Sequence, residues 1–465
     1  MSLSNLTLDA VKPRGRSVLG AVFGFALALE AGQGSAQSLF DSMVLAYQSN
    51  PTLQAQRAAL RSTDENVPQA LSNYRPTVIL NGSAGQATSD TSNSDQSLTP
   101  LLASVTVSQP VYRGGRTSAS VRQAENQVRA GRADLLSTEQ DVLLLVVKAY
   151  LNVLRDQAVV QINRNNELVL KRQLQATRDR FEVGEVTRTD VAQAEARLSR
   201  ATSDRIQVEG DLTSSRANYR RVVGAEPGQL EAAPRLSDIP ASYEQAVQIA
   251  LEENPLLQSA QFNEAASRAA IEISRGGLRP TVSIDGDLSY SEEQQLENFT
   301  NESASIVARL TVPLYQAGST VSQVRQNRQI NSQRRIQVEE IRRLVVESVT
   351  TAWQRLTTAS AQIVSQLEQV RAAELALEGV EQEAEVGSRT TLDVLDAEQE
   401  LLDAQVALVR AQRNEYVAAF EVKSATGQLT ITALGLAVAR YDEEDNYRRM
   451  RHRWFGSNGT LFAEE

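Results

Sequence analysis

The sequence predicts a mainly α-helical chain built as two similar halves, each carrying a pair of amphipathic strands between its helices. Three observations carry this. First, one string of landmarks is written twice, about 203 to 204 residues apart: Asn50-Pro51 returns as Asn254-Pro255, Arg75-Pro76-Thr77-Val78 as Arg279-Pro280-Thr281-Val282, and Pro110-Val111-Tyr112 as Pro313-Leu314-Tyr315. The register holds through Tyr150 and Trp353, Gly184 and Gly387, Asp190 and Asp393, and Gly224 and Gly427, so one fold must explain both copies. Second, Arg116 to Glu182 and Thr320 to Glu385 lack Pro and are rich in strong helix formers. Third, short runs ahead of each long segment alternate with period two.

Taken in order, the chain opens with Lys12, Arg14 and Arg16, an apolar stretch from Val18 to Leu29, and Gly34-Ser35-Ala36. That order predicts a secretory signal peptide over residues 1–36. Its apolar run is too short for a spanning helix, which needs about 20 residues. Residues 37–227 then form a first repeat. It holds strands at about 77–87 and 102–110, a long helix at about 116–182 and a helix at about 188–223. A linker, 228–241, leads to the second repeat, 242–427. There the strands are expected at about 281–291 and 303–313, the long helix at about 320–385 and the last helix at about 391–426. Residues 428–465 form a C-terminal tail.

Each long segment would extend about 100 Å as a helix. A rod of that length needs lateral partners in a coiled-coil-like arrangement. Shorter helices at 38–73, 188–223, 242–276 and 391–426 are half as long, so two stacked end to end match one rod. The Asn-Pro pairs mark helix starts, since Pro suits a first turn and disfavours helix in the residue before it.

In the second copy Val282, Ile284, Gly286, Leu288 and Tyr290 alternate with Ser283, Asp285, Asp287 and Ser289. Ala304, Ile306, Ala308, Leu310 and Val312 alternate with Ser305, Val307, Arg309 and Thr311. Runs of about 11 residues suit tilted strands that cross a membrane. Beyond residue 37 the longest apolar runs, Val142 to Val147 and Leu434 to Val438, are too short to cross as helices, so any membrane residence is through strands. Four strands cannot close a membrane barrel, and an open edge cannot face lipid. Oligomerisation is therefore expected, with three chains giving a twelve-stranded barrel.

Composition excludes several classes. The formal net charge of −10 disfavours nucleic-acid binding, which needs a Lys/Arg-rich face. With no Cys and a single His, His452, thiol nucleophiles, thiolate zinc sites and most His-based triads have no residues to work with. No enzyme activity and no cofactor are expected. The basic cluster Arg448-Arg449-Met450-Arg451-His452-Arg453-Trp454 has the composition to touch an acidic surface or lipid headgroups, but preceded by Asp442-Glu443-Glu444-Asp445 it is expected to be a solvated tail.

At the far end of each rod sits a short turn, Val183-Gly184-Glu185-Val186-Thr187-Arg188-Thr189-Asp190-Val191, mirrored by Val386-Gly387-Ser388-Arg389-Thr390-Thr391-Leu392-Asp393-Val394-Leu395-Asp396-Ala397. Gly184 and Gly387 suit left-handed helix ends. Thr187 with Asp190, and Thr390 with Asp393, match the pattern that caps a following helix. Together with the doubling, the strand pairs and the rods, these turns resemble the TolC family of outer-membrane efflux and secretion channels, over essentially all of residues 38 to 430.

The resemblance implies a homotrimer in the bacterial outer membrane, with a β-barrel continued by a helical barrel in the periplasm. Implied partners are a periplasmic adaptor and an inner-membrane ABC or proton-driven transporter. It further implies that Asp393 and Asp396 form the constriction, that Arg389 tethers the closed gate through Thr189 and Asp190 of a neighbouring hairpin, and that Gly184, Gly387, Thr187 and Thr390 shape the adaptor-docking turns. The family has a tyrosine tether where this chain has Ala384, which leaves Arg389 as the better-matched latch. The resemblance leans toward type I protein secretion, with multidrug efflux as the alternative. An exported coiled-coil rod that never enters a bilayer is a remoter alternative.

Overall fold

The structure is a computed structural model that describes residues 37–91, 94–234, 236 and 238–456. The expected signal peptide, 1–36, lies outside the described residues. The chain begins with helices α1 (Leu39–Ser49), α2 (Pro51–Asp64) and α3 (Asn66–Ser72). Strands β1 (Thr77–Ala84), β2 (Ala87–Thr91), β3 (Ser94–Leu98) and β4 (Leu101–Arg113) follow, then the rod α4 (Arg116–Glu182) and α5 (Arg188–Val223). The second copy runs through α6 (Tyr243–Glu253), α7 (Pro255–Gly276), β5 (Thr281–Glu292), β6 (Thr300–Thr311), the rod α8 (Ser319–Glu385) and α9 (Thr391–Ala425). A short helix, α10 (Asp445–Met450), ends the described elements.

The doubling is visible in atomic detail at the Asn-Pro steps. Asn50 caps α2 by accepting from the Thr52 amide at 2.9 Å, and its Nδ2 donates to the Val222 carbonyl at 2.8 Å. Asn254 does the same for α7, accepting from the Leu256 amide at 3.0 Å and donating to the Ala425 carbonyl at 3.0 Å. One residue type thus starts a helix and ties it to the end of α5 or α9, so that the short helices stack end to end beside the rods.

The two rods are each 67 residues long. One flank of α4 packs against α1, α2, α3 and α5, and the other against α7 and α9; α8 packs against α6, α7 and α9. The order across the layer is therefore short stack, rod, short stack, rod. At the middle of α4, Leu39, Met43, Tyr150, Tyr219 and Phe420 are fully buried. The Tyr150 and Tyr219 rings lie 6.5 Å apart, and the Tyr150 hydroxyl donates to the carbonyls of Gln37 and Glu231 at 2.9 and 2.7 Å. These bonds tie the segment just before α1 and the inter-repeat linker to the rod.

The main sheet has the antiparallel order β1-β4-β5-β6, so the two copies meet along β4 and β5. Strand β4 is longer than the period-two reading of 102–110, because a register shift between Pro110 and Tyr112 lets it continue to Arg113. Between β1 and β4 lies a feature the alternation did not signal, the hairpin β2–β3. Where β4 turns into α4, Gly114 has φ +66°, and a Cβ there would lie 2.3 Å from the Gly276 carbonyl. Only glycine allows the two copies to approach this closely.

One expectation holds only in part. Arg448, Arg449 and His452 of the C-terminal basic cluster are exposed, but Arg451 and the residues just before the cluster are held against α2 and α4. Asn446 Nδ2 donates to Asp64 at 2.8 Å, Arg132 pairs with Glu444 at 3.0 Å and Arg451 pairs with Glu125 at 2.9 Å. Tyr447 packs against a cluster that includes Val67, Ala124 and Val128. The pattern of acids before bases described local pairing, such as Arg449 with Asp445 at 2.6 Å, and missed acceptors more than 300 residues away in sequence.

Candidate functional site

Two ends of the molecule carry features beyond packing. At the first, α4–α5 and α8–α9 each close in a tight hairpin. Gly184 (φ +84°) and Gly387 (φ +78°) sit in the left-handed region with open space around them, so backbone geometry, not crowding, requires glycine. The Glu185 amide reaches back to the Arg180 carbonyl at 2.9 Å and the Ser388 amide to the Glu383 carbonyl at 2.9 Å, closing the same helix-end motif twice.

The next helices start with reciprocal caps. Thr187 Oγ1 donates to Asp190 at 2.8 Å while the Asp190 amide donates back at 3.3 Å; Thr390 and Asp393 repeat this at 2.8 and 3.3 Å. The bonds from Thr390 hold the Asp393 carboxyl below its ordinary range. Thr189 is exposed on the first turn of α5.

Within one chain Arg389 and Asp190 are not brought together. Arg389 Nε donates instead to Glu383 at 2.8 Å across its own turn, with both side chains about half exposed. Asp396 is joined to Arg197 of α5, an ion pair between the two hairpins. Leu395 packs beside it into the α4–α5 hairpin with Leu170, Leu174, Ala194 and Ala201. Neither Arg197 nor Glu383 was singled out in the sequence. The signal available was charge complementarity with Asp396 and Arg389, which many surface residues share.

A departure between the copies lies one turn further along. In the first hairpin Arg178 pairs with Glu195 at 2.6 Å. The repeat-equivalent positions in the second are Glu381 and Glu398. Glu398 is only 6% exposed, its Oε2 has no hydrogen-bond partner, and burial together with the Glu381 charge pushes its carboxyl up to about 7. An ion pair in one hairpin is thus a like-charged pair in the other.

The second end is the sheet. Its register places Val78, Val107, Gly286 and Ile306 in one row across all four strands, and Leu80, Val105, Leu288 and Ala304 in the next. The opposite face carries Thr77, Ser108, Asp285 and Val307, and then Asn81, Ser104, Ser289 and Ser303. On it Asp285 accepts from Ser108 at 2.7 Å and pairs with Arg309 at 3.2 Å, while Asp287 accepts from Thr106 at 3.0 Å. Over these rows one face is apolar and solvent-exposed in the chain, with Val78 67%, Leu80 74% and Ile306 83% exposed. The other is hydrogen-bonded and polar. Both edges, β1 and β6, lack a strand partner among the described residues.

No helix among the described residues is long and apolar enough to cross a membrane. No group of three or more His, Asp or Glu side chains among them is placed to hold a metal ion.

Comparison with known proteins agrees with this architecture. The family model described as outer membrane efflux protein matches twice, over residues 43–225 and 246–428. The outer membrane efflux protein BepC of Brucella suis is 34% identical over 421 residues, covering 90% of this chain and 92% of that protein. Outer membrane protein TolC of Vibrio cholerae is 29% identical over 409 residues, covering 85% and 92%. The crystal structure of the Campylobacter jejuni CmeC outer membrane channel superposes with a TM-score of 0.75 at 15% identity, covering 96% of this chain and 98% of that one. This last likeness is one of fold.

Proposed function

We propose that this chain, which belongs to the outer membrane efflux protein family, works as a closed trimer that forms the passive exit duct of a tripartite exporter. The protein resides in the bacterial outer membrane. The observation that carries the trimer is the sheet: an apolar face continuous over four strands, ending in two unpaired edges. Such a face belongs in lipid, and such edges must be paired there because each unmet backbone group costs several kcal/mol. Joining β6 of one subunit to β1 of the next pairs every edge, and three subunits give twelve strands with the polar face lining the lumen. The same rotation brings the open flank of α8 against the α2 and α5 flank of its neighbour, a head-to-tail contact that closes into a ring.

The helical hairpins form the opposite end, where the duct narrows and meets a periplasmic adaptor and, through it, an inner-membrane transporter. Three copies of Asp393 and Asp396 at a neck repel anions and favour cations. Arg197 tempers that field by pairing with Asp396 in each chain. Arg389 latches the closed neck through Thr189 and Asp190 of an adjacent subunit's hairpin, exchanging its contact with Glu383 as the hairpins move. Opening needs relative movement of the hairpins and no chemistry in this chain, which acts as a conduit and not as an enzyme.

The cargo is exported protein, small molecules or both, chosen by the inner-membrane partner. BepC is named an efflux protein, which supports small-molecule export beside type I secretion. Affinity capture of the intact complex, with identification of an ABC transporter or a proton-driven pump, decides between them. The latch is tested by Arg389→Ser in planar bilayers. Raised single-channel conductance is expected, and unchanged conductance removes Arg389 from that role. Carbonate extraction of membranes tests the barrel: a barrel stays in the pellet, and a peripheral rod washes off.

A further inference from the structure

The C-terminal segment lies along α2–α3 and α4 and ends beside the first strand. Asn446 and Arg451 anchor it through Asp64 and Glu125, and the Arg132 and Arg451 guanidiniums lie 5.3 and 5.4 Å from the Tyr447 ring centroid. Beyond these anchors the chain reaches Arg75, two residues before β1. The Arg75 guanidinium lies 4.6 Å from the Trp454 ring centroid, and its Nη1 donates to the Arg453 carbonyl at 2.8 Å. Trp454 and Phe455 remain 58% and 86% exposed.

The surroundings are basic. Arg113 and Arg116 lie on the nearby β4–α4 turn; Arg113 is hydrogen-bonded to Asn73, and neither has a carboxylate partner among the described residues. Arg75 likewise has no carboxylate partner among the described residues; its recorded hydrogen bond is the one from Nη1. The level is that of Val78, the first residue of the apolar face. Guanidinium groups without carboxylates, next to exposed aromatic rings at the start of an apolar strand face, match the boundary between headgroups and acyl chains.

We propose that Arg75, stacked on Trp454 and flanked by Phe455, binds the phosphate of an anionic phospholipid in the leaflet nearest the helices, making the C-terminal segment a clamp on the membrane surface. The proposal rests on the reading that the sheet spans the outer membrane. Arg75 offers its planar fork to phosphate oxygens, while Trp454 and Phe455 enter the acyl boundary. Phosphatidylglycerol fits because its headgroup adds no cation to oppose the arginines; phosphatidylcholine carries one.

The chain supplies its own probe, because its two tryptophans are Trp353 and Trp454. In the full-length Trp353→Phe protein, reconstituted in nanodiscs, Trp454 fluorescence is read with brominated phosphatidylglycerol or brominated phosphatidylcholine at matched mole fraction. Stronger quenching by the phosphatidylglycerol is expected. Arg75→Gln should weaken that preference about fivefold, and Arg75→Lys should restore part of it. Equal quenching by both lipids overturns headgroup recognition, as does a preference abolished by added glycerophosphate, which would indicate a site for soluble phosphate. Absence of quenching by either lipid, in protein that resists carbonate extraction, overturns the clamp while leaving the barrel intact. Protein that carbonate removes shows instead that the spanning reading has failed. A trimer band on native gels for each variant separates loss of the site from loss of folding.

Discussion

The two rods have equal length and repeat-related sequences, yet they differ in what they touch. The first, α4, has helices on both flanks and buries Leu143, Val146, Val147, Tyr150 and Val153 along its middle. The second, α8, buries only Val324, Val345, Val349, Ala352, Ala359 and Ala373, and leaves Ile336 66%, Val364 64% and Leu375 71% exposed. In the proposed trimer, the difference separates surface that one chain completes for itself from surface left for a neighbour. Scattered exposed apolar side chains are ordinary; a whole flank of them on a rod is what the proposed trimer would cover.

The hairpins repeat the contrast at smaller scale. The first closes with Arg178 and Glu195 paired at 2.6 Å, whereas the second buries Glu398 beside Glu381. A buried carboxylate without a partner weakens its surroundings when ionised, so ionisation of Glu398 is expected to loosen the second hairpin more than the first.

The contrast can be broken most forcefully inside α4. Leu143→Ala removes a side chain that is 1% exposed and should cost about 2–5 kcal/mol, lowering the unfolding midpoint whether or not the trimer is assembled. Leu375→Ser should leave subunit folding within about 0.5 kcal/mol and weaken only assembly, read as trimer dissociation on semi-native gels. Equal effects of the two on folding would erase the distinction between the rods.

In the sheet, Ile306→Arg places a charge on the apolar face and should cost about 2–4 kcal/mol per subunit at mid-membrane. Val307→Arg, beside Asp285 on the polar face, should be tolerated; membrane fractionation reads both, and a reversed order would invert the two faces.

The last expected effect concerns pH. Glu398 has a native pKa raised from 4.5 to about 7, so the native state holds its proton more tightly than the unfolded chain. Its contribution is fully present below about pH 4.5 and is lost as pH rises through 7, for a difference of up to about 3 kcal/mol. Hydrogen exchange of the α8–α9 hairpin should therefore speed up from pH 5 to 8 beyond its intrinsic rate. Glu398→Gln should flatten that extra dependence, and a profile unchanged by the substitution removes Glu398 as its source.

Much of the fold class could be read from the residues because the signals are local. Helix periodicity, Asn-Pro starts, capping pairs and strand alternation arise between residues a few positions apart, and the doubling presents each signal twice. The turn residues were legible for the same reason: Gly184 and Gly387 need a backbone angle, and Thr187 and Thr390 need an aspartate three residues on. What escaped was long-range. The Arg197–Asp396 pair joins positions 199 residues apart, and Asn446 meets Asp64 across 382; no local pattern marks either.

By itself, then, the sequence determined the repeated helical rods, the strands between them and the chemistry of each strand face, since every one of these follows from neighbours along the chain. The tertiary structure alone decided which rod is enclosed, which carboxylate is left buried and unpaired, and where the C-terminal segment comes to rest. Burial and charge pairing depend on which distant surfaces meet, and residues of the same type can end on either side of that choice.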